Sequence, residues 1–550
     1  MTIDKTFQEE AKICYTDDMA KGVTTGTFNF EAIRQADILY VDKTKYIYKL
    51  VSKPENSRCF VSRPRRFGKS LCVNTLEKIF QGRKDLFEGL YIGQTDYDWK
   101  KYPVIKFSFG SCSSKNSKDL NGWIIRMLNG IASGYGFELN IENSLSEVFS
   151  ELIKKLYAKH GKVVILVDEY EKVITDNIYN ENIEEMRDVL SSFYQVLKDM
   201  DEYIHFVFIT GVTKYTKLSL FSKMNNLMDI SMEYEYAEMF GYTQEELEHY
   251  FAEHIDEKLA TGAMDKKSFL EKLKVYYDGY RFNPYAQSVY NPVSIGQYFQ
   301  TIEMTFKNYW IDTGGMMTMF FDVAERCDFD IAEDLMSPVL AESFSRFDIL
   351  AINKKKVSKS FLKCFMFQAG YLTIKDFNPD INAYYFDFPN KEVRKSFTDG
   401  LLCSYFQDED LYTIDRVSFA DAILKGDTDR LFVAIKAMFA GIPSLVYSKA
   451  EKTNEYYYQS LVYMMFSAIG MTVNLEEITS GGRIDAVAEN KDTVFIIEFK
   501  LDKSARDALS QIRTNHYADK FLTKGKKIKL IGINFSSKDR NIDDYLVEDL

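Results

Sequence analysis

The stretch "RCFVSRPRRFGKSLCVNTLEKIF", Arg58 to Phe80, decides how the chain is read. Its first five residues, Arg58 to Ser62, form a short apolar run of strand type. From Lys69 onward, Leu71, Leu76, Ile79 and Phe80 recur at helical spacing. The turn between them ends in Gly68-Lys69-Ser70, the second half of the phosphate-loop pattern G-x-x-x-x-G-K-[ST], with Arg63 where the first glycine would stand. A loop of this type binds phosphate through backbone N–H groups converging at a helix N-terminus, helped by a cation and a hydroxyl. Gly68 would let the backbone approach, Lys69 would reach the β/γ oxygens and Ser70 would ligate Mg²⁺. Taken alone, the tripeptide is more often a plain helix start. Arg63 cannot easily take glycine's backbone angles. With Arg65 and Arg66 it either adds charge beside the phosphates, touches another chain, or makes a solvated basic turn.

Working outward, "PVIKFSFG" (103–110), "KVVILVDEY" (162–170), "IHFVFITGVTKY" (204–215) and "NLMDISM" (226–232) read as further strands separated by helices. Near-continuous apolar strands of this kind predict a parallel sheet covered on both faces, in an α/β fold. Asp168 and Glu169 then stand at a strand's C-terminal end, where such sheets bind ligands. Asp168 would hold the magnesium through water and Glu169 would polarise the attacking water, the alternative being a helix cap with solvated charge. Thr210 or Thr213 would sense the γ-phosphate, or serve as ordinary turn chemistry. The nucleotide-binding set is Arg65, Arg66, Phe67, Gly68, Lys69, Ser70, Leu71, Asp168 and Thr210.

The 550 residues exceed one ordinary core, so two to four domains are expected. A hydrophobic content of 46% argues for packed domains over most of the length. The N-terminus lacks an apolar signal region, and no apolar run is long enough to span a bilayer. Seven cysteines without a C-x-x-C pair fit free thiols in a reducing compartment, so a cytoplasmic location is expected. At a net charge of −12, nucleic-acid contact requires a local basic patch. From about 241 to 410 the pattern is mostly helical. The last hundred residues switch to a compact α/β module.

That module contains "GGRIDAVAENKDTVFIIEFKLD" (481–502). Asp485 begins one strand, while Glu498 and Lys500 alternate on the next and so share a face. Two charges on an otherwise apolar strand are expensive without a purpose. Hydrolysing a phosphodiester needs clustered acids to hold Mg²⁺ or Mn²⁺, and a cation near the attacking water. Asp485 and Glu498 fit the metal role, with the Phe499 carbonyl as a third ligand, and Lys500 fits the water-positioning role. The basic run "KGKKIK" (524–529), with Arg513 and Lys520, would track a phosphate backbone or make a solvated turn.

The segments "VDKTKYI", "RPRRFGKSL", "ILVDEYEKVI" and "ITGVTKY" resemble the AAA-ATPase-like domain of bacterial proteins that carry a C-terminal PD-(D/E)XK nuclease module. "YDGYRF", "VYNPVSI", "NYWIDTGG" and "QAGYLTI" continue the resemblance from about residue 24 to nearly the end. It implies that "RPRRFGKS" is the family's usual loop, and that an AAA/STAND-like P-loop domain precedes helical or winged-helix elements. It also implies a restriction-endonuclease-like C-terminal module, to which the D…ExK pattern belongs. Glu455, on a helix with Tyr458 and Gln459, resembles that module's first acid and so a further metal ligand. Gln459 stands where the family often has histidine. Gln511 and Tyr517, on one helix, resemble its supporting Q…Y element. The expected domains are a leader (1–23), the ATPase-like domain (24–240), a helical middle (241–410) and the nuclease-like domain (411–550). The expected function is ATP binding and hydrolysis coupled to Mg²⁺-dependent DNA cleavage, in a protein that forms homo-oligomers. The alternatives are a nucleotide-switched DNA-binding or regulatory protein whose nuclease fold is inactive, and a dead P-loop scaffold with an active nuclease.

Overall fold

The computed structural model describes residues 20–214, 227–442 apart from 261, 302, 311–316, 328, 330, 336, 346, 348, 354–356 and 407, and 455–550. Most of the leader, the "IDTGG" of the tryptophan motif and Asn454 therefore lie outside the described residues.

The N-terminal sheet holds β1 (Arg58–Ser62), β2 (Val104–Ser108), β3 (Val163–Asp168), β4 (Ile204–Gly211) and the two-residue β5 (Met228–Asp229). The strands are parallel, in the order β2-β3-β4-β1-β5. Every residue of β3 is buried, as its unbroken aliphatic run requires. Helices Ser117–Gly134, Leu145–His160 and Ile183–Asp199 cover the sheet, the second opening on a Ser144/Glu147 capping box. Because β4 lies between β1 and β3, the loops leaving all three strands meet at one crevice. Helix α1 (Lys69–Phe80) opens at that crevice.

The middle region is helical, including α2 (Pro292–Gln300) and α3 (Lys391–Ser404). It also holds a small antiparallel sheet ordered β6 (Val339–Leu340), β8 (Ala383–Asp387) and β7 (Thr373–Asn378). Its short strands escape a periodicity reading.

The C-terminal module opens with α4 (Glu455–Ala468). Its sheet contains β9 (Thr472–Thr479), β10 (Gly482–Glu489), β11 (Thr493–Leu501), β12 (Lys527–Ser536) and β13 (Asn541–Asp549), in the order β13-β12-β11-β10-β9. Only β11 and β12 run parallel, and helix α5 (Ala505–Thr514) crosses between them. The single helix expected to carry Gln511 and Tyr517 stops at Thr514, because His516 adopts a left-handed φ of 52°. Tyr517 consequently sits in the turn beyond the helix. Strand β13 escaped the sequence reading because most of its residues face solvent on the sheet edge.

One apolar core runs from the first sheet through Trp310, Tyr371 and Phe397 to Phe466 and Phe535 of the last module. Among the described residues, no helix is long and apolar enough to cross a membrane.

Candidate functional site

The phosphate-type loop joins β1 to α1. Its left-handed positions are Arg66 (φ 67°) and Gly68 (φ 90°), and a Cβ built on Gly68 would touch nothing within 4 Å. Lys69 is buried, with Nζ donating to the carbonyls of Arg63 (2.9 Å) and Pro64 (2.8 Å). Burial pulls its ammonium below the ordinary lysine range, while Glu171, Asp168 and Glu169 act to hold the charge.

Arg63 takes no phosphate-facing position. It is 1% exposed, and its guanidinium donates to the carbonyls of Ser62 (2.9 Å), Ser231 (2.6 Å) and Tyr236 (3.1 Å). The group also lies 4.1 Å over the Phe282 ring. Its φ is not positive, so the position never needed glycine. Arg63→Gly, which restores the usual pattern, is expected to destabilise the fold by about 3 kcal/mol or more, because three buried carbonyls lose a charged donor. Thermal unfolding of the purified variant checks this. Of the other two arginines, Arg65 is half-buried and Arg66 is exposed.

Two cavities flank the Gly68–Ser70 end of the loop. A cleft of about 400 Å³ is lined by Ser70, Asn74, Lys106, Ser108 and Asp168, with the N-terminal segment Gly26–Asn29. Lys106 is ion-paired with Glu77 at 2.5 Å. On the other side of Gly68, a cavity of about 140 Å³ is walled by Tyr40, Phe67, Leu71, Met239, Tyr242 and Val293 among others. Both share Thr27 and Phe28. The pair suits a ligand with a flat apolar end and an anionic tail. The far wall of the smaller cavity comes from residues 239–293, whose role the sequence did not reveal. "VYNPVSI" was the signal that could have found it.

Asp168 is buried and accepts from Thr210 Oγ1 at 2.6 Å. Glu169 has a left-handed φ of 54°. Its carboxylate turns toward the end of β2, and a Cβ on Gly110 would lie 2.6 Å from its Oε2. Thr213 is fully buried, and its carbonyl accepts the Tyr170 hydroxyl at 2.8 Å. Glu171, which the sequence reading passed over, is buried beside this group and accepts from Val212 N at 2.6 Å.

The middle region grips the loop from outside. Trp310 Nε1 donates to Arg65 O at 3.0 Å, and Phe67 packs edge-on against Tyr280 and Phe282. Gly370 (φ +92°) abuts Pro64, where a Cβ would come within 2.6 Å of the proline Cβ. Trp310 N donates to Glu392 Oε1 (2.6 Å), whose other oxygen accepts from Ser294 Oγ (2.8 Å). Glu392 is fully buried at the start of α3. Arg394, two residues on, bonds Asp387 (2.8 Å) and the hydroxyl of Tyr463 (3.1 Å) on α4.

Helix α4 carries Glu455, Tyr458 and Gln459 toward β10 and β11. Gln459 Nε2 donates to Asp485 O at 2.6 Å and to Glu476 Oε1 at 3.3 Å. Asp485 and Glu498 meet across the strand pair: Asp485 N donates to Glu498 Oε1 (3.3 Å), and Phe499 N donates to Asp485 Oδ2 (2.8 Å). Lys500 Nζ bonds Phe499 O (2.8 Å) and lies 3.7 Å from Glu498 Oε2. Burial, and then Asp485, push the Glu498 carboxyl up to about 9. Burial raises Glu455 as well, and the charges of Lys500 and Asp485 reach it. Tyr458 instead stacks on Phe535 at 4.4 Å. Tyr517 is buried and donates to Arg483 O at 2.9 Å, bracing β10 two residues before Asp485. Gln511 sits half-buried on α5.

Three of the four lysines in the basic run are ion-paired, Lys524 and Lys526 with Glu489 and Lys529 with Asp549, while Lys527 is exposed. Lys520 pairs with Glu477 and Arg513 with Glu548.

Hard oxygen donors from Asp485, Glu498 and the Phe499 carbonyl suit Mg²⁺ or Mn²⁺. Glu498 Oε2 is buried without a hydrogen-bond partner, as an oxygen awaiting a cation would be. No group of three His, Cys, Asp or Glu side chains converges to hold a metal among the described residues. Backbone, water or substrate oxygens would complete the shell.

Comparison with known proteins identifies the domains that carry these residues. Residues 24–221 match the family described as predicted AAA-ATPase, and residues 453–545 match the PD-(D/E)XK nuclease superfamily. An uncharacterized protein from the vnfD 5′ region of Azotobacter chroococcum mcd 1 is 34% identical over 542 residues, spanning 96% of this chain and 99% of that one. The chain belongs to the family that joins an AAA-ATPase-like domain to a PD-(D/E)XK nuclease superfamily domain. Among solved structures, the Aeropyrum pernix ORC2 protein in ADPNP–ADP complexes is similar over 71% of this chain and 97% of that one, with 10% identity and a TM-score of 0.28. The ORC1 protein of the same organism in complex with DNA is similar over 65% and 91%, with 11% identity and a TM-score of 0.25.

Proposed function

We propose that the protein binds and hydrolyses ATP and thereby controls a Mg²⁺- or Mn²⁺-dependent cleavage of DNA. The base enters the apolar cavity beside Tyr40 and Tyr242, and the phosphates follow the N–H groups of Arg65 to Leu71. Lys69 neutralises the β/γ oxygens, while Ser70 and Asp168 hold magnesium. Glu169 orients the attacking water, and Thr210 fixes Asp168. In the C-terminal module Asp485 and Glu498 hold the metal with the Phe499 carbonyl, and Glu455 joins from α4. Bound there, the metal supplies charge stabilisation at the scissile phosphate. Lys500 holds water in line with the phosphorus, Gln459 fixes Asp485 through its carbonyl, and Gln511 and Tyr517 support the strand.

One observation carries the link between the sites: the bonded sequence Arg65–Trp310–Glu392, then Arg394–Tyr463 on neighbouring turns, joins the phosphate loop to the helix bearing Glu455 and Gln459. In this structure Lys69 holds the Arg63 and Pro64 carbonyls. Phosphate oxygens would draw it away and free the segment that Trp310 clamps. A coupling of this kind is worth about 1–3 kcal/mol, or roughly 5–150-fold. Cleavage of circular and linear DNA in Mn²⁺ is therefore expected to change severalfold with ATP. Arg394→Met should keep both ATP binding and basal cleavage but lose that response. An unaltered response to ATP in Arg394→Met would rule this route out.

A second reading, a nucleotide-switched DNA-binding protein with an inactive nuclease fold, draws on the absence of a three-side-chain metal cluster among the described residues. Metal occupancy at Asp485 and Glu498 separates the two.

A further inference from the structure

We infer that Glu476 is a positioning residue of the C-terminal site: it fixes the amide of Gln459 and, through that amide, the backbone of Asp485. The inference rests on the nuclease reading above and adds a residue that reading does not use.

Asp485 sits where the sheet releases its own backbone. The β9–β10 ladder pairs Ile484 with Glu477 and Ala486 with Leu475, passing over Asp485 and Glu476. The β10–β11 ladder begins at Ala486 with Ile497. Side chains hold the Asp485 peptide groups instead. Its N–H donates to Glu498 Oε1 at 3.3 Å, and its carbonyl accepts from Gln459 Nε2 at 2.6 Å. The place of the Asp485 carboxylate therefore depends on where Gln459 points.

Gln459 is 3% exposed, so its amide needs partners within the protein. The second acceptor for Nε2 is Glu476 Oε1 at 3.3 Å. The other Glu476 oxygen meets the Arg483 guanidinium as an ion pair. A backbone carbonyl and a carboxylate paired with arginine both accept and do not donate. Together they leave the amide one orientation, nitrogen toward Asp485 and Glu476 and oxygen turned away. Without Glu476 a single bond remains, and the amide plane can rotate about it. Glu476 also has a left-handed φ of 55°, an uncommon state for a glutamate in a strand. Backbone strain of this kind persists where the surroundings over-determine it. Arg483 is braced in turn, since its carbonyl accepts the Tyr517 hydroxyl at 2.9 Å.

The test is calorimetric titration of the full chain with Mn²⁺, alongside DNA cleavage over a range of Mn²⁺ concentrations. Glu476→Met keeps a side chain of similar size and removes the acceptor, whereas Glu476→Gln keeps an oxygen for the Gln459 amide. Glu476→Met is expected to weaken Mn²⁺ binding by about 10–100-fold, the usual loss when a group behind a metal ligand is removed. Its cleavage should recover as Mn²⁺ is raised, and Glu476→Gln should bind Mn²⁺ as the wild type does. Gln459→Met breaks the same bond from the other side. Because the two residues act in series, the double variant should lose no more affinity than Gln459→Met alone. Wild-type Mn²⁺ affinity in folded Glu476→Met, equal losses in Glu476→Gln and Glu476→Met, or losses that multiply in the double variant overturn the role of Glu476 alone. A wild type that neither binds Mn²⁺ nor cuts DNA overturns the nuclease reading itself.

Discussion

Glu498→Gln is expected to abolish DNA cleavage and, at the same time, to raise the melting temperature of the metal-free protein at pH 8. The cleavage loss follows from removing a charged metal ligand and should reach about 10³-fold, in the range seen when a central electrostatic group is lost. The stability gain follows from linkage. Glu498 is wholly buried beside Asp485, and its carboxyl is pushed up to about 9, whereas an unfolded glutamate titrates near its ordinary value. Between those two values the unfolded chain has given up a proton that the folded one retains, so rising pH favours unfolding. Glutamine is neutral in both states and escapes that penalty. The difference should amount to a few degrees at pH 8 and fade toward about pH 4, below which the carboxyl is protonated in both states. Scanning calorimetry with chelator at the two pH values checks the sign, and Asp485→Ala provides a second inactive variant. Equal melting temperatures at pH 8 would mean that Glu498 is charged in the folded protein.

Lys69→Ala is expected to weaken ATP binding by more than about 100-fold while leaving nucleotide-independent cleavage in place. A charge-assisted hydrogen bond contributes about 1.5–3 kcal/mol, and a lysine reaching two phosphate oxygens makes two of them. At 1.4 kcal/mol per factor of ten, even the lower figure for two bonds reaches two decades. Titration with a fluorescent nucleotide measures the loss. Retained affinity in Lys69→Ala would show that the loop is a helix start and nothing more, the alternative that the tripeptide alone could not exclude.

Patterns local to the sequence proved legible. The apolar run "VVILV", the glycine before Lys69 and the alternation of Glu498 with Lys500 depend on neighbours a few positions away, and all were readable without a structure. Arg63 was misread because its partners are the backbone carbonyls of Ser231 and Tyr236, 168 and 173 positions distant, and carbonyls leave no trace in residue identity. Glu171 was overlooked for a related reason. Its burial is set by Gly211, which arrives from another strand. The smaller cavity was hidden because its two walls, residues 24–72 and 239–293, are brought together only by the fold. In the basic run "KGKKIK", three of the four lysines have carboxylates on neighbouring strands, which residue order alone does not show.

The grip of Trp310 and Gly370 on Pro64 and Arg65 bears on how this chain can be cut, whether by experimenters or by recombination. A fragment ending near residue 240 would retain the whole five-stranded sheet yet lose the surfaces that hold its ligand loop in shape. Phe67 would be stripped of Tyr280 and Phe282, and Arg63 of the ring it lies against. Such a fragment is a poor object for cloning or for grafting onto another nuclease. The smallest unit with an intact loop runs from the N-terminal segment through Ser404, whereas gene fusions that preserve the switch must also keep Tyr463 and α4.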